Sequence, residues 1–100
     1  KKEYMLGYSP AELKNHLTSF SQWENIKNKK WNIDHIFPVC AFVKYGIDDI
    51  RLINCLDNLR PILATENRKK WKYFDDNQFK NWLSTKGKVL FESEEKGGEE

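Results

Sequence analysis

The chain has 100 residues, of which 32% are charged and 14% aromatic, and a net charge of +2, which suits one hydrophobic core and is short for two domains. Its longest apolar run, residues 36–43, is broken by Pro38 and falls far below the roughly 20 residues of a membrane-spanning helix. The two cysteines, Cys40 and Cys55, make neither a C-x-x-C pair nor a disulfide framework, so they read as small, partly buried residues of a reduced compartment, with no structural zinc.

The first ten residues, KKEYMLGYSP, contain no apolar signal core and no initiating Met, which points to a domain cut from a longer protein. Ser9-Pro10-Ala11-Glu12 reads as a helix start, with Ser9 as N-cap, Pro10 at the first helical position and Glu12 closing a capping box. Tyr8 and Leu13 suit a hydrophobic staple, and Leu13, Leu17 and Phe20 recur at helical spacing. His16 lies on that apolar side and reads as a packing histidine rather than a ligand. Residues 21–30 are polar and basic and read as a connection into a short strand, Trp31 to Phe37, which Pro38 ends.

Within residues 47–56, two acidic residues precede Ile50 and Ile53, a pattern for a short helix with a strand as the alternative. Residues 58–63 read as a second short strand, confined to an edge by Pro61, as in a two-stranded ribbon. Thr65 can cap a helix running through Glu66, Asn67, Lys70 and Trp71. A last helix starts at Asp75-Asp76-Asn77-Gln78, turns Phe79, Trp82 and Leu83 inward and stops at Gly87. Residues 92–100 hold five Glu and one Lys, whereas residues 1–91 hold sixteen Lys or Arg against ten Asp or Glu. The expected division is therefore a basic domain over 1–91 and a disordered acidic tail over 92–100.

From residue 31 the order is strand, long connection, strand, helix, with Asp34-His35 on the first strand, Asn58 at the start of the second, and Asn67 and Lys70 on the helix. The ordered set in "IDHIFP" and "DNLRPILATENRKK" resembles the HNH family of metal-dependent nucleases, in the variant whose last motif residue is Asn. "LGYSPAELKNHL" likewise resembles the helix ahead of the motif in phage-type members. The resemblance covers about residues 4–73. It implies an α+β fold with a small ββα-metal core, a two-stranded antiparallel ribbon plus helix, and additional flanking helices.

By the same resemblance His35 is a general base and Asn58 a clamp on the backbone of the loop that carries it. Asp34 and Asn67 are the ligands of one Mg²⁺, for which Mn²⁺ can substitute. Lys70 and Arg68 are candidate phosphate contacts, while Lys69 and Lys72 suit the solvated side of the helix equally well. These residue types match the chemistry. A histidine side chain ordinarily titrates near pH 6.5 and so takes a proton readily near neutrality, and a carboxylate with a carboxamide offers two hard oxygens to a hard cation.

The implied function is intracellular, metal-dependent DNA cleavage, with specificity supplied by a longer protein or a phage-type system. The alternative is a non-catalytic DNA-binding or assembly module that keeps the HNH fold. Relatives with two C-x-x-C zinc knuckles differ from this chain, so Trp23, Trp31, Trp71 and Trp82 are expected to supply stability instead. One geometrical demand follows: neighbouring residues of a strand point to opposite faces, so the strand must end or twist at Asp34-His35 for both to serve one site.

Overall fold

A computed structural model of the chain describes residues 6–88, so the acidic tail at 92–100 lies outside the described residues. In chain order the elements are α1 (Pro10–Thr18), α2 (Trp23–Ile26), β1 (Trp31–His35), α3 (Val39–Lys44), α4 (Ile50–Ile53), a 3₁₀ turn (Leu56–Asn58), β2 (Leu59–Leu63), α5 (Ala64–Lys70) and α6 (Asp76–Thr85). The fold is α+β. β1 and β2 form an antiparallel two-stranded ribbon in which Trp31 faces Leu63, Asp34 faces Arg60 and His35 faces Leu59. The chain then runs directly from β2 into α5. None of the described helices is long and apolar enough to cross a membrane.

Local chemistry accounts for most of these boundaries. Ser9 Oγ accepts from the Glu12 N–H while the Glu12 carboxylate accepts from the Ser9 N–H, with Pro10 just inside the helix, so two orphan donors of α1 are satisfied reciprocally. At α6, the Asp75 carboxylate accepts from the Gln78 N–H. Gly87 follows that helix at φ 80°, a conformation that costs glycine little. His16 fits its packing assignment: Nε2 lies 2.8 Å from the Leu59 carbonyl oxygen and its ring meets Phe20 edge-on.

Four expectations need correction. The stretch at 21–30 contains the short helix α2, whose Ile26 is buried and whose Trp23 meets Trp31 edge to face at 5.0 Å. β1 ends at His35, two residues before the expected end: the Ile36 N–H still bonds the Asn58 carbonyl across the ribbon at 2.8 Å, but Asn58 belongs to the 3₁₀ turn and Pro38 caps α3. α5 starts at Ala64, ahead of Thr65, with Leu63 at its N-cap. Trp71 is 72% exposed and so adds nothing to the core, since α5 ends at Lys70 and Trp71 leaves it at φ 50°.

The principal core lies between α3, α4 and α6. Phe42, Phe79, Leu83 and Ala41 are fully buried there, with Leu52 and Ile53 beside them and Phe37, Tyr45 and Trp82 packed against them. Phe79 is its centre, with ring centroids 4.9 Å from Phe42 and 5.2 Å from Phe37. A solvent-facing contact joins two of these helices: Asp76 accepts from Lys44 Nζ at 2.8 Å and from the Tyr45 hydroxyl at 2.6 Å.

Phe79→Ala should lower stability by about 3–5 kcal/mol, whereas Trp71→Ala should change it by no more than about 0.5 kcal/mol, as read from urea midpoints. The Lys44 ammonium, then the Tyr45 hydroxyl, hold the Asp76 carboxyl below its usual range. The unfolded chain therefore takes up that proton first, so the contact stabilises fully above the ordinary carboxylate pKa and is lost as pH falls through the lower folded value. Asp76→Asn should accordingly flatten part of the stability loss between about pH 5 and pH 2, measured by denaturant titration at low ionic strength.

Candidate functional site

The ribbon and α5 bring the motif residues to one place. A cleft of about 180 Å³ is lined by Asp34 and His35 at the end of β1, by Asn67 and Lys70 on α5, and by Ile33, Pro38, Val39 and Trp71. Asn67 and Lys70 stand three residues apart on a helix and so share a face. The demand on the strand is met by its ending at His35, which lets Asp34 and His35 wall the same cleft.

Asp34 is 3% exposed and its carboxylate is held from two elements. Oδ2 accepts from Arg60 Nε on β2 at 2.9 Å, and Oδ1 from Lys70 Nζ on α5 at 3.1 Å. Lys70 also donates to the His35 carbonyl oxygen at 2.7 Å. The ion pairs compensate the desolvation of the carboxylate. They also give Lys70 a different first duty from the one expected of it: it ties α5 to the end of β1, and only its remaining donor capacity is left for a phosphate. Arg68 is exposed on α5 and does not line the cleft.

Asn58 is fully buried in the 3₁₀ turn just before β2. Its Oδ1 accepts from the Phe37 N–H at 2.8 Å, and its Nδ2 donates to the carbonyls of Phe37 at 3.1 Å and Ile53 at 2.9 Å. It therefore clamps the backbone two residues past His35 and lies away from the cleft, as an organising residue. His35 Nε2 stands 2.8 Å from Asn54 Oδ1. Asn54 follows α4, donates from Nδ2 to the Ile50 carbonyl at 3.0 Å, and accepts from the Tyr8 hydroxyl on its own carbonyl oxygen at 2.7 Å.

Arg60 and Asn54 escaped the sequence reading. The first had a signal: in an antiparallel ribbon Arg60 falls directly opposite Asp34, and opposite charges so placed attract. The second had none, because a contact across 19 residues of connection leaves no spacing to read.

A divalent cation in this cleft would draw on few protein donors, and both oxygens of Asp34 already hold ion pairs. Among the described residues no group of three or more His, Cys, Asp or Glu is placed to hold an ion, so a ligand set here would rest on one carboxylate, Asp34, and one carboxamide, Asn67. Asn67 Nδ2 donates to Asn32 Oδ1 at 3.3 Å, which leaves Oδ1 as its acceptor. Two oxygens beside an imidazole, with water completing the shell, suit Mg²⁺ or Mn²⁺ better than a soft ion. Comparison of the chain with protein-family models, curated proteins and solved structures finds no match.

Asn58→Ala should destabilise the domain by about 3 kcal/mol or more, because it strands one buried N–H and two carbonyls. Urea denaturation followed by far-UV circular dichroism checks this, and Asn67→Ala, which strands no such set, should leave the midpoint nearly unchanged.

Proposed function

We propose that the domain is a metal-dependent DNA endonuclease in which His35 is the general base. The observation that carries this reading is the convergence of Asp34, His35, Asn67 and Lys70, from β1 and α5, on one cleft. Hydrolysis of a phosphodiester needs a base for water, positive charge for the phosphate and the departing oxygen, and fixed geometry between them. The cleft supplies a residue of each kind.

Bound at Asp34 and Asn67, a Mg²⁺ ion would neutralise phosphate charge and stabilise the leaving oxygen. The chain's own groups do the rest. His35 takes a proton from water, the resulting hydroxide oxygen bonds to phosphorus, and the bond from phosphorus to the 3′ oxygen breaks. The 3′ oxygen is protonated from solvent, giving 3′-hydroxyl and 5′-phosphate ends. Lys70 and Arg60 hold Asp34 in register with the end of β1. Two cations against one carboxylate leave an excess positive charge that favours a phosphate. Arg68, Lys69 and Lys72 extend that charge over exposed surface, where phosphate contacts position a strand without reading its sequence.

One observation favours the non-catalytic alternative, a DNA-binding or assembly module with the same fold. Both oxygens of Asp34 already carry ion pairs, as a purely structural carboxylate would. Incubation with supercoiled plasmid separates the two. On the nuclease reading, Mg²⁺ or Mn²⁺ supports conversion to nicked or linear DNA and EDTA abolishes it. A folded domain that retards DNA and leaves it intact with either ion would establish the alternative. His35→Ala should lower the cleavage rate by about 10²- to 10⁴-fold while metal affinity, followed by calorimetry with Mn²⁺, stays near wild type.

A further inference from the structure

The long connection between the two motif strands carries a residue that no motif assigns, and it touches the proposed base. We infer that Asn54 is a positioning residue for His35, holding the imidazole proton on Nε2 so that Nδ1 is the nitrogen that takes a proton from water. The inference rests on the nuclease reading for the identity of the base, and on geometry alone for the tautomer.

The direction of the contact follows from the partners of Asn54. A carboxamide nitrogen only donates and its oxygen only accepts. Nδ2 is 3.0 Å from the Ile50 carbonyl oxygen, a group that only accepts, so the nitrogen belongs there and Oδ1 faces His35 Nε2 at 2.8 Å. The reversed amide would set two oxygens against each other at Ile50. Oδ1 needs a donor, so Nε2 carries the hydrogen. In a neutral imidazole the other nitrogen then holds the lone pair.

Asn54 is itself fixed at several atoms, which is what an orienting group requires. Its backbone N–H closes α4 on the Ile50 and Leu52 carbonyls. Its carbonyl oxygen accepts from the Tyr8 hydroxyl at 2.7 Å, and burial raises the pKa of that tyrosine, keeping it a donor. Side chain and backbone of Asn54 are thus anchored on α4 and on the segment ahead of α1. When Nδ1 takes a proton from water, the Nε2–H bond to Oδ1 persists. No proton passes to Asn54, because a carboxamide oxygen is not a base in this range. The arrangement is nucleophile, base and orienter, with the orienter neutral.

The test has a readout independent of cleavage. Protein labelled with ¹⁵N-histidine is examined by long-range ¹H–¹⁵N correlation in mildly alkaline buffer, with the His35 signals assigned by their loss in His35→Ala. Wild type should show the Nε2–H tautomer at His35. Asn54→Ala should show a mixture of tautomers, and Asn54→Asp, which keeps an acceptor at this position, should restore Nε2–H. Circular dichroism establishes that each variant is folded. In plasmid cleavage, kcat should fall about 10- to 100-fold in Asn54→Ala with KM unchanged, the scale on which groups that orient a ligand or base act. A proton on Nδ1 in wild type, or a tautomer indifferent to Asn54→Ala, overturns the assignment. If wild type fails to cleave DNA yet the tautomer behaves as stated, the nuclease reading fails and the positioning by Asn54 stands.

Discussion

The buried side chain of Asn58 is the constraint on which the site depends. β1 and β2 are neighbours in the ribbon but are separated by residues 36–58, and loop closure over that length costs entropy that the ribbon's few hydrogen bonds offset poorly. Asn58 closes the loop from inside. Both polar atoms of its carboxamide bond backbone, at Phe37 and at Ile53, while its own carbonyl accepts from Ile36. One residue thus fixes the exit of β1, the end of α4 and the entry of β2. Phe37 is held at both its N–H and its carbonyl, so its ring is delivered to Phe79 in the core and the backbone at His35 is delivered to the cleft.

Electrostatics build the second half of the site. Burying Asp34 is costly unless each oxygen is paired, and the pairs come from opposite sides, Arg60 across the ribbon and Lys70 from α5. Because Lys70 also bonds the His35 carbonyl, it registers the helix against the last residue of the strand. Asn67, one turn earlier on the same helix, is carried to the cleft by that contact. The pairing that looks purely structural at Asp34 is therefore also what seats Asn67 on the same cleft.

The extent to which this was legible in sequence follows from the length scale of each interaction. Ser9, Pro10 and Glu12 announce α1 because a capping box is complete within four residues, and Phe79 and Leu83 announce the inner face of α6 because the helix spans several periods. The four residues of α2 are too few to show a period, and the start of α5 is set by the end of the ribbon rather than by the capping side chain at Thr65. The ordered set Asp34-His35, Asn58, Asn67 and Lys70 is singled out by resemblance, and the ribbon and α5 bring all of it except Asn58 to one cleft. Trp71 illustrates the opposite case: aromatic content suggested core, yet the backbone leaves the helix at that residue with a positive φ and the ring stays outside.

The connection between the strands gains its meaning from these contacts. Its helices α3 and α4 supply Phe42, Leu52 and Ile53 to the core that α6 completes, and Asn54 is the residue that closes α4. A residue at the end of a packed helix is placed more reproducibly than one in a free loop, since the core restrains its backbone. Core packing thereby reaches the imidazole through two bonds, from α4 to the carboxamide and from the carboxamide to Nε2. On the opposite side Lys70 holds the backbone of the same histidine. His35 is thus fixed at its carbonyl by α5, after the ribbon, and at its ring by Asn54, which closes α4 between the two strands.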